Sequence, residues 1–136
     1  MKVSRKLVMA SLIAFSFIPT LALADTWYVQ MDVMWKFVWE SGKIPQPMMY
    51  SAMSQTYPPY QGDVVMNRSA NSNFVTMNLT IPALSETCIL TGNISSDGNS
   101  AVGNSVCNVQ DPKTGHKVSS SYPWTAQIVP DFSKSK

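Results

Sequence analysis

The sequence predicts an all-β fold: a small antiparallel β-sandwich or barrel of about seven strands, with one disulfide-linked hairpin. Three observations point there. Short segments alternate apolar with polar residues and are bounded by turn-forming residues. Neither a βαβ alternation nor a repeat of fixed period is present. Two cysteines sit symmetrically about an Asp-Gly pair, which is a strong hairpin signal. Composition agrees. Of 136 residues, 45% are hydrophobic and 13% charged, which is too apolar for a disordered chain and too short for two ordinary domains.

The elements follow in chain order. Residues 1–24 read as a secretory signal peptide. Lys2, Arg5 and Lys6 form a basic start, Leu7 to Leu21 is mostly apolar, and Ala22-Leu23-Ala24 is a small-residue cleavage site. Asp25 is then the expected first residue of a single β-rich domain, 25–136. Three of the ten Lys and Arg residues leave with the signal, so seven face eight acidic residues and the net charge falls from +2 to about −1. Basicity therefore gives no reason to expect nucleic acid as a partner. No later stretch approaches the roughly 20 apolar residues of a membrane-spanning helix. The expected location is periplasmic or secreted.

Trp27 to Glu40 has apolar residues at every odd position (Trp27, Val29, Met31, Val33, Trp35, Phe37 and Trp39) and several polar ones at even positions. A period of two in aromatic and β-branched residues predicts a strand, long enough to need a bend or bulge. Its charges at Asp32, Lys36 and Glu40 are also spaced as on a helix, which is the competing assignment. Ser41 to Gly62 carries Ile44-Pro45-Gln46-Pro47 and Tyr57-Pro58-Pro59-Tyr60, and reads as a long loop with one helical turn near Met48 to Gln55. Asp63 to Arg68 and Phe74 to Ile81 read as strands, separated by the turn residues Asn71-Ser72-Asn73. The second of these puts Val75, Met77, Leu79 and Ile81 on one face. After the disulfide hairpin, Asp111 to Gly115 is another turn. Lys117 to Tyr122 and Trp124 to Val129 are the last strands, divided at Pro123, and 131–136 reads as a tail.

Cys88 and Cys107 are expected to form a disulfide after export to an oxidising compartment. A two-residue turn at Asp97-Gly98 places them directly opposite each other, in a hydrogen-bonded pair with Cα atoms about 5.5 Å apart. Such a bond stabilises the fold by roughly 3 kcal/mol. The same register puts Cys88, Leu90, Ile94, Ala101 and Cys107 on one buried face. It also sets Gly92 against Gly103, which points to a bend or the close approach of another element.

The chemistry on offer is thin. His116 is the single histidine and lies in a turn, so a nucleophilic triad or a zinc site lacks its usual residues. Asp32 and Glu40, on one strand, would stand about 26 Å apart, too far for a glycosidase pair. No phosphate-binding glycine loop or nucleophile elbow is present. The sequence thus points away from an enzyme and implies no cofactor and no resident metal. Met48, Met49 and Met53 raise one alternative, a periplasmic Cu(I) carrier using soft thioether ligands. The long segment with Tyr50, Tyr57 and Tyr60 among these methionines reads as a contact surface, because Tyr and Met are enriched at interfaces and proline lowers the ordering cost of binding. The expected function is a non-enzymatic binding protein with a protein partner, of inhibitor or immunity type. A structural subunit of a surface fibre or secretion assembly, self-associating through an open edge at Trp27–Glu40, is the other alternative.

Overall fold

The computed structural model describes residues 25–40, 47–68 and 71–130. The signal-peptide assignment, part of the predicted 41–62 loop and the tail at 131–136 lie outside them. Eight strands run β1 Asp25–Gln30, β2 Met34–Trp39, β3 Met48–Ser54, β4 Gln61–Arg68, β5 Phe74–Ile81, β6 Glu86–Ile94, β7 Ser100–Gln110 and β8 Lys117–Pro130, with a short 3-10 turn at Pro82–Leu84. Each pairs antiparallel with the next, and β1 pairs with β8, closing a barrel. Stepping between facing residues from Val129 through Thr26, Val38, Ser51, Asp63, Thr80, Thr87 and Asn108 leads back to β8 at Ser119, ten residues from the start. That stagger is the strand tilt that barrel closure requires.

The alternation read from the sequence decides which side chains fill the interior. Trp27, Phe37, Met66, Met77, Leu79, Leu90 and Trp124 are fully buried. The outward wall is mixed: Thr76, Asn78, Thr80, Asn93 and Gln127 are polar, whereas Val38, Ile89, Val102, Val106 and Val129 are exposed apolar residues. The interior is packed with apolar side chains, whereas a membrane barrel carries a polar lumen. Among the described residues no helix is long and apolar enough to cross a membrane.

Three expectations change. The predicted strand Trp27–Glu40 is a hairpin, turning at Met31–Val33. Its facing pairs, such as Trp27 with Phe37 and Val29 with Trp35, join odd positions to odd. Apolar odd residues therefore stay on one face through the turn, and the period of two passes unbroken. Asp32 lies in that turn, its Oδ1 accepting the Val33 N–H at 2.8 Å, not on a strand face with Glu40. The predicted helical turn at Met48 to Gln55 is strand β3. Finally, β8 is continuous through Pro123. Ile128 donates its N–H to Asn99 on the β7 side at 2.8 Å. Alternation from there turns the even residues of β8 toward β7 and the odd ones away. Pro123 is odd, and β1 pairs only with residues 125–130. Its missing N–H would have pointed at an empty edge, so no ladder bond is lost.

The disulfide hairpin has the expected register, with Cys88 facing Cys107 and Gly92 facing Gly103. Its turn is longer than expected. Ser95 donates to Ser100 O at 2.8 Å, so four residues, 96–99, form the connection around the same centre. Asp97 braces it, its Oδ1 accepting from the Ser95 hydroxyl at 2.6 Å and the Asn99 N–H at 3.0 Å. These bonds hold the Asp97 carboxyl below the usual carboxylate range. Moving the first ladder bond by one residue flips the frame, so the cysteines occupy a non-hydrogen-bonded pair. Their Cα atoms are 4.0 Å apart, in keeping with the narrower spacing of such pairs. The element that approaches the glycines is Trp124. A Cβ on Gly92 would lie 2.6 Å from its ring, and one on Gly103 would lie 1.9 Å from Thr91 O. The indole Nε1–H donates to Asn104 O at 3.1 Å.

Candidate functional site

The strand period separates the six residues singled out for binding. On β3, Met48 and Tyr50 point into the barrel and Met49 and Met53 point out. Met49 and Met53 are each 42% exposed, whereas Met48 is buried. Four residues of strand span roughly 13 Å, so the three thioethers do not converge on one ion.

Tyr50 is a core residue, 2% exposed. Its ring packs edge-on against Trp39 at 5.3 Å. Its hydroxyl donates to Asp25 Oδ1, and Arg68 Nη1 lies 3.4 Å from Asp25 Oδ2. Burial, then the Asp25 charge, pushes the Tyr50 hydroxyl well above the usual tyrosine range. Tyr50 thus ties β3 to β1 and β4 and is withdrawn from any surface role. Sequence reading missed it because β3 shows little contrast between its faces: Met48, Tyr50, Ala52 and Ser54 look inward, while Met49, Ser51 and Met53 look outward.

The β3–β4 loop, residues 55–60, keeps the two remaining tyrosines at the surface. Tyr57 is 99% exposed and Tyr60 39%. The loop is nevertheless held firmly. Ser54, itself buried, donates its hydroxyl to Thr56 Oγ1 at 2.8 Å, and Thr56 donates onward to Pro58 O at 3.1 Å. Tyr60 N–H donates to Ser54 Oγ at 2.7 Å, and Ser54 N–H to Tyr60 O at 2.9 Å. Gln55 N–H reaches across to Met34 O at 2.8 Å. The Tyr57-Pro58 peptide bond is cis.

At the foot of this loop the outer wall of β2, β3 and β4 is indented. The groove encloses about 510 Å³ and is lined by Lys36, Val38, Ser51, Met53, Gln61 and Asp63. Sequence alone did not reveal it, since it forms where three strands are brought side by side. The exposed Met34, Val38, Met49 and Met53 share this wall, giving it a flexible apolar character.

One titratable cluster lies elsewhere. Ligand atoms of Glu86, Cys88 and Cys107 fall within 4.8 Å of one another, but both sulfurs are consumed by the disulfide. A Glu86 oxygen sits 3.7 Å from the Cys88 sulfur, which carries no proton to donate. Desolvation, and then the Asp32 charge, raises the Glu86 carboxyl above its ordinary value. Comparison with family models, with curated proteins and with solved structures returned no match. Function is therefore argued from these residues alone.

Proposed function

We propose that the chain is an exported, non-enzymatic binding protein, periplasmic or secreted, that recognises another macromolecule through the β3–β4 loop, as an inhibitor or immunity-type module does. The observation that carries this reading is Tyr57: a tyrosine 99% exposed on a loop that its own hydrogen bonds hold in one shape. A rigid amphipathic side chain offered to solvent gains contact area on binding with little ordering cost. The adjoining groove and the methionine-rich wall extend the surface beyond one residue, as a recognition site requires.

The test uses oxidised residues 25–136, immobilised, against the exported proteins of the same organism. The expected result is one stoichiometric partner. The pair Tyr57→Ala and Tyr60→Ala should weaken its retention at least ~30-fold, the scale of an aromatic hot spot, with an unchanged melting temperature. Equal retention by the variant removes this loop as the site, and failure to retain anything but the chain itself removes the reading.

A further inference from the structure

β8 outruns one of its neighbours. β7 accompanies it from Lys117 to Gln127, but β1 pairs only with residues 125–130. The backbone of residues 117–123 therefore has a β7 side and, among the described residues, an open side. The hydrogen-bond frame given by Ile128 and Asn99 assigns the groups. Val118, Ser120 and Tyr122 direct theirs to β7. Lys117, Ser119 and Ser121 direct an N–H and a C=O outward, and Pro123 a C=O. Among the described residues this is a short unpaired strand edge in an otherwise closed barrel.

We infer that this edge pairs with the same edge of a second copy of the chain, antiparallel about a two-fold axis through Ser120. The occupant follows from the register. Only outward-directed residues can exchange hydrogen bonds, so odd must face odd. Centring on Ser120 sets Ser119 against Ser121 and Lys117 against Pro123. It also sets Val118 against Tyr122, on the face that continues the barrel interior. Val118 is 59% exposed although it points to that inner side, and Tyr122 is half-buried against the core. A β-branched residue beside an aromatic one is a favourable cross-strand pair. Centring on Ser119 or Ser121 leaves Val118 or Tyr122 facing Ser120. No like charges meet in the Ser120-centred register. Lys117 and Pro123 bracket the open stretch and keep it short. A two-fold pairing uses both edges and stops at a dimer, with no surface left to extend a fibre. The β3–β4 loop takes no part, so this inference and the recognition reading stand or fall separately.

All eight strands lie within residues 25–130, so the oxidised 25–136 chain is the material for the test. Sedimentation of a concentration series to about 1 mM should show a monomer–dimer equilibrium. Amide exchange followed residue by residue should show Lys117, Ser119 and Ser121 gaining protection as the dimer fills, while Val118, Ser120 and Tyr122 are protected throughout. Ser121→Pro removes one outward donor per chain and no bond to β7. It should weaken the dimer at least about ten-fold and leave the monomer's melting temperature unchanged. A strict monomer over that range overturns the inference. So does a dimer in which the Ser119 and Ser121 amides stay open, or one that Ser121→Pro leaves intact. Protection of those amides only on addition of a different protein would reassign the edge to that partner.

Discussion

The β6–β7 hairpin and the β3–β4 hairpin concentrate the chain's unusual residues and turn them in opposite directions. In β6–β7 the cysteines, the facing glycines and Ser105 all look inward, and Trp124 of the next strand lies across the glycines. In β3–β4 the exposed methionines and two of three tyrosines look outward. Both hairpins have well-braced connections, so rigidity does not distinguish them. The direction in which the chemistry faces does. One hairpin is a structural clasp, and the other a rigid mount for a surface.

The contrast predicts a dissociation between stability and binding. The largest effect belongs to Trp124→Ala, which empties the space above Gly92 and Gly103. It should destabilise the fold by roughly 3–5 kcal/mol, read by denaturant melts, and a near-neutral result would erase the clasp. Next, replacing Cys88 and Cys107 together with Ala should cost roughly 3 kcal/mol without changing the strand content seen by circular dichroism. Tyr50→Phe comes third, at about 1–2 kcal/mol, because Asp25 keeps Arg68 but loses its buried donor. It sharpens the comparison, since Tyr50 shares β3 with the surface methionines yet should behave like a clasp residue and spare binding.

The smallest effect tests pH. Glu86 has its carboxyl raised above the ordinary 4.5. The protonated acid is therefore the form the fold prefers, and its contribution to stability is complete below that value and lost as pH rises through the shifted one. Glu86→Gln should raise the melting temperature slightly at neutral pH, with the gain vanishing under acid conditions. A gain that grows in acid would contradict the burial of this side chain beside the disulfide.

How much of this was legible in the sequence depended on what each pattern encodes. The register of β6 and β7 was legible because it depends on where a turn is centred. The hydrogen-bond frame was not, because a four-residue turn about the same centre gives the same pairs. The β1–β2 turn was hidden by parity, since a hairpin joining odd to odd continues an alternating pattern across the bend. β3 was hidden by composition: methionine and serine on both faces, between proline-rich flanks, look like a loop. Pro123 misled for a different reason. Whether a proline interrupts a strand depends on the neighbour its missing N–H would have met, and the length of β1 sets that a hundred residues away. Of the candidate site, Tyr57, Tyr60, Met49 and Met53 were found at the surface as expected. Tyr50 and Met48 were not, because one-residue steps along β3 reverse the direction of a side chain.

The closing seam of the barrel joins β1 to β8, the first and last strands among the described residues. Every other strand can pair with a neighbour already delivered, whereas Trp27 must wait for Ile128, with almost the whole domain between them. Whatever delivers this chain N-terminus first, ribosome or export channel, β1 can pair with β2 at once but carries its other edge, along Trp27 and Val29, unpaired until β8 emerges. Completion is thus governed by the most distant contact in the molecule, and such contacts close slowly. The barrel is then all or nothing in time as well as in space, and the interval before closure is when the chain is most open to capture by chaperones or proteases.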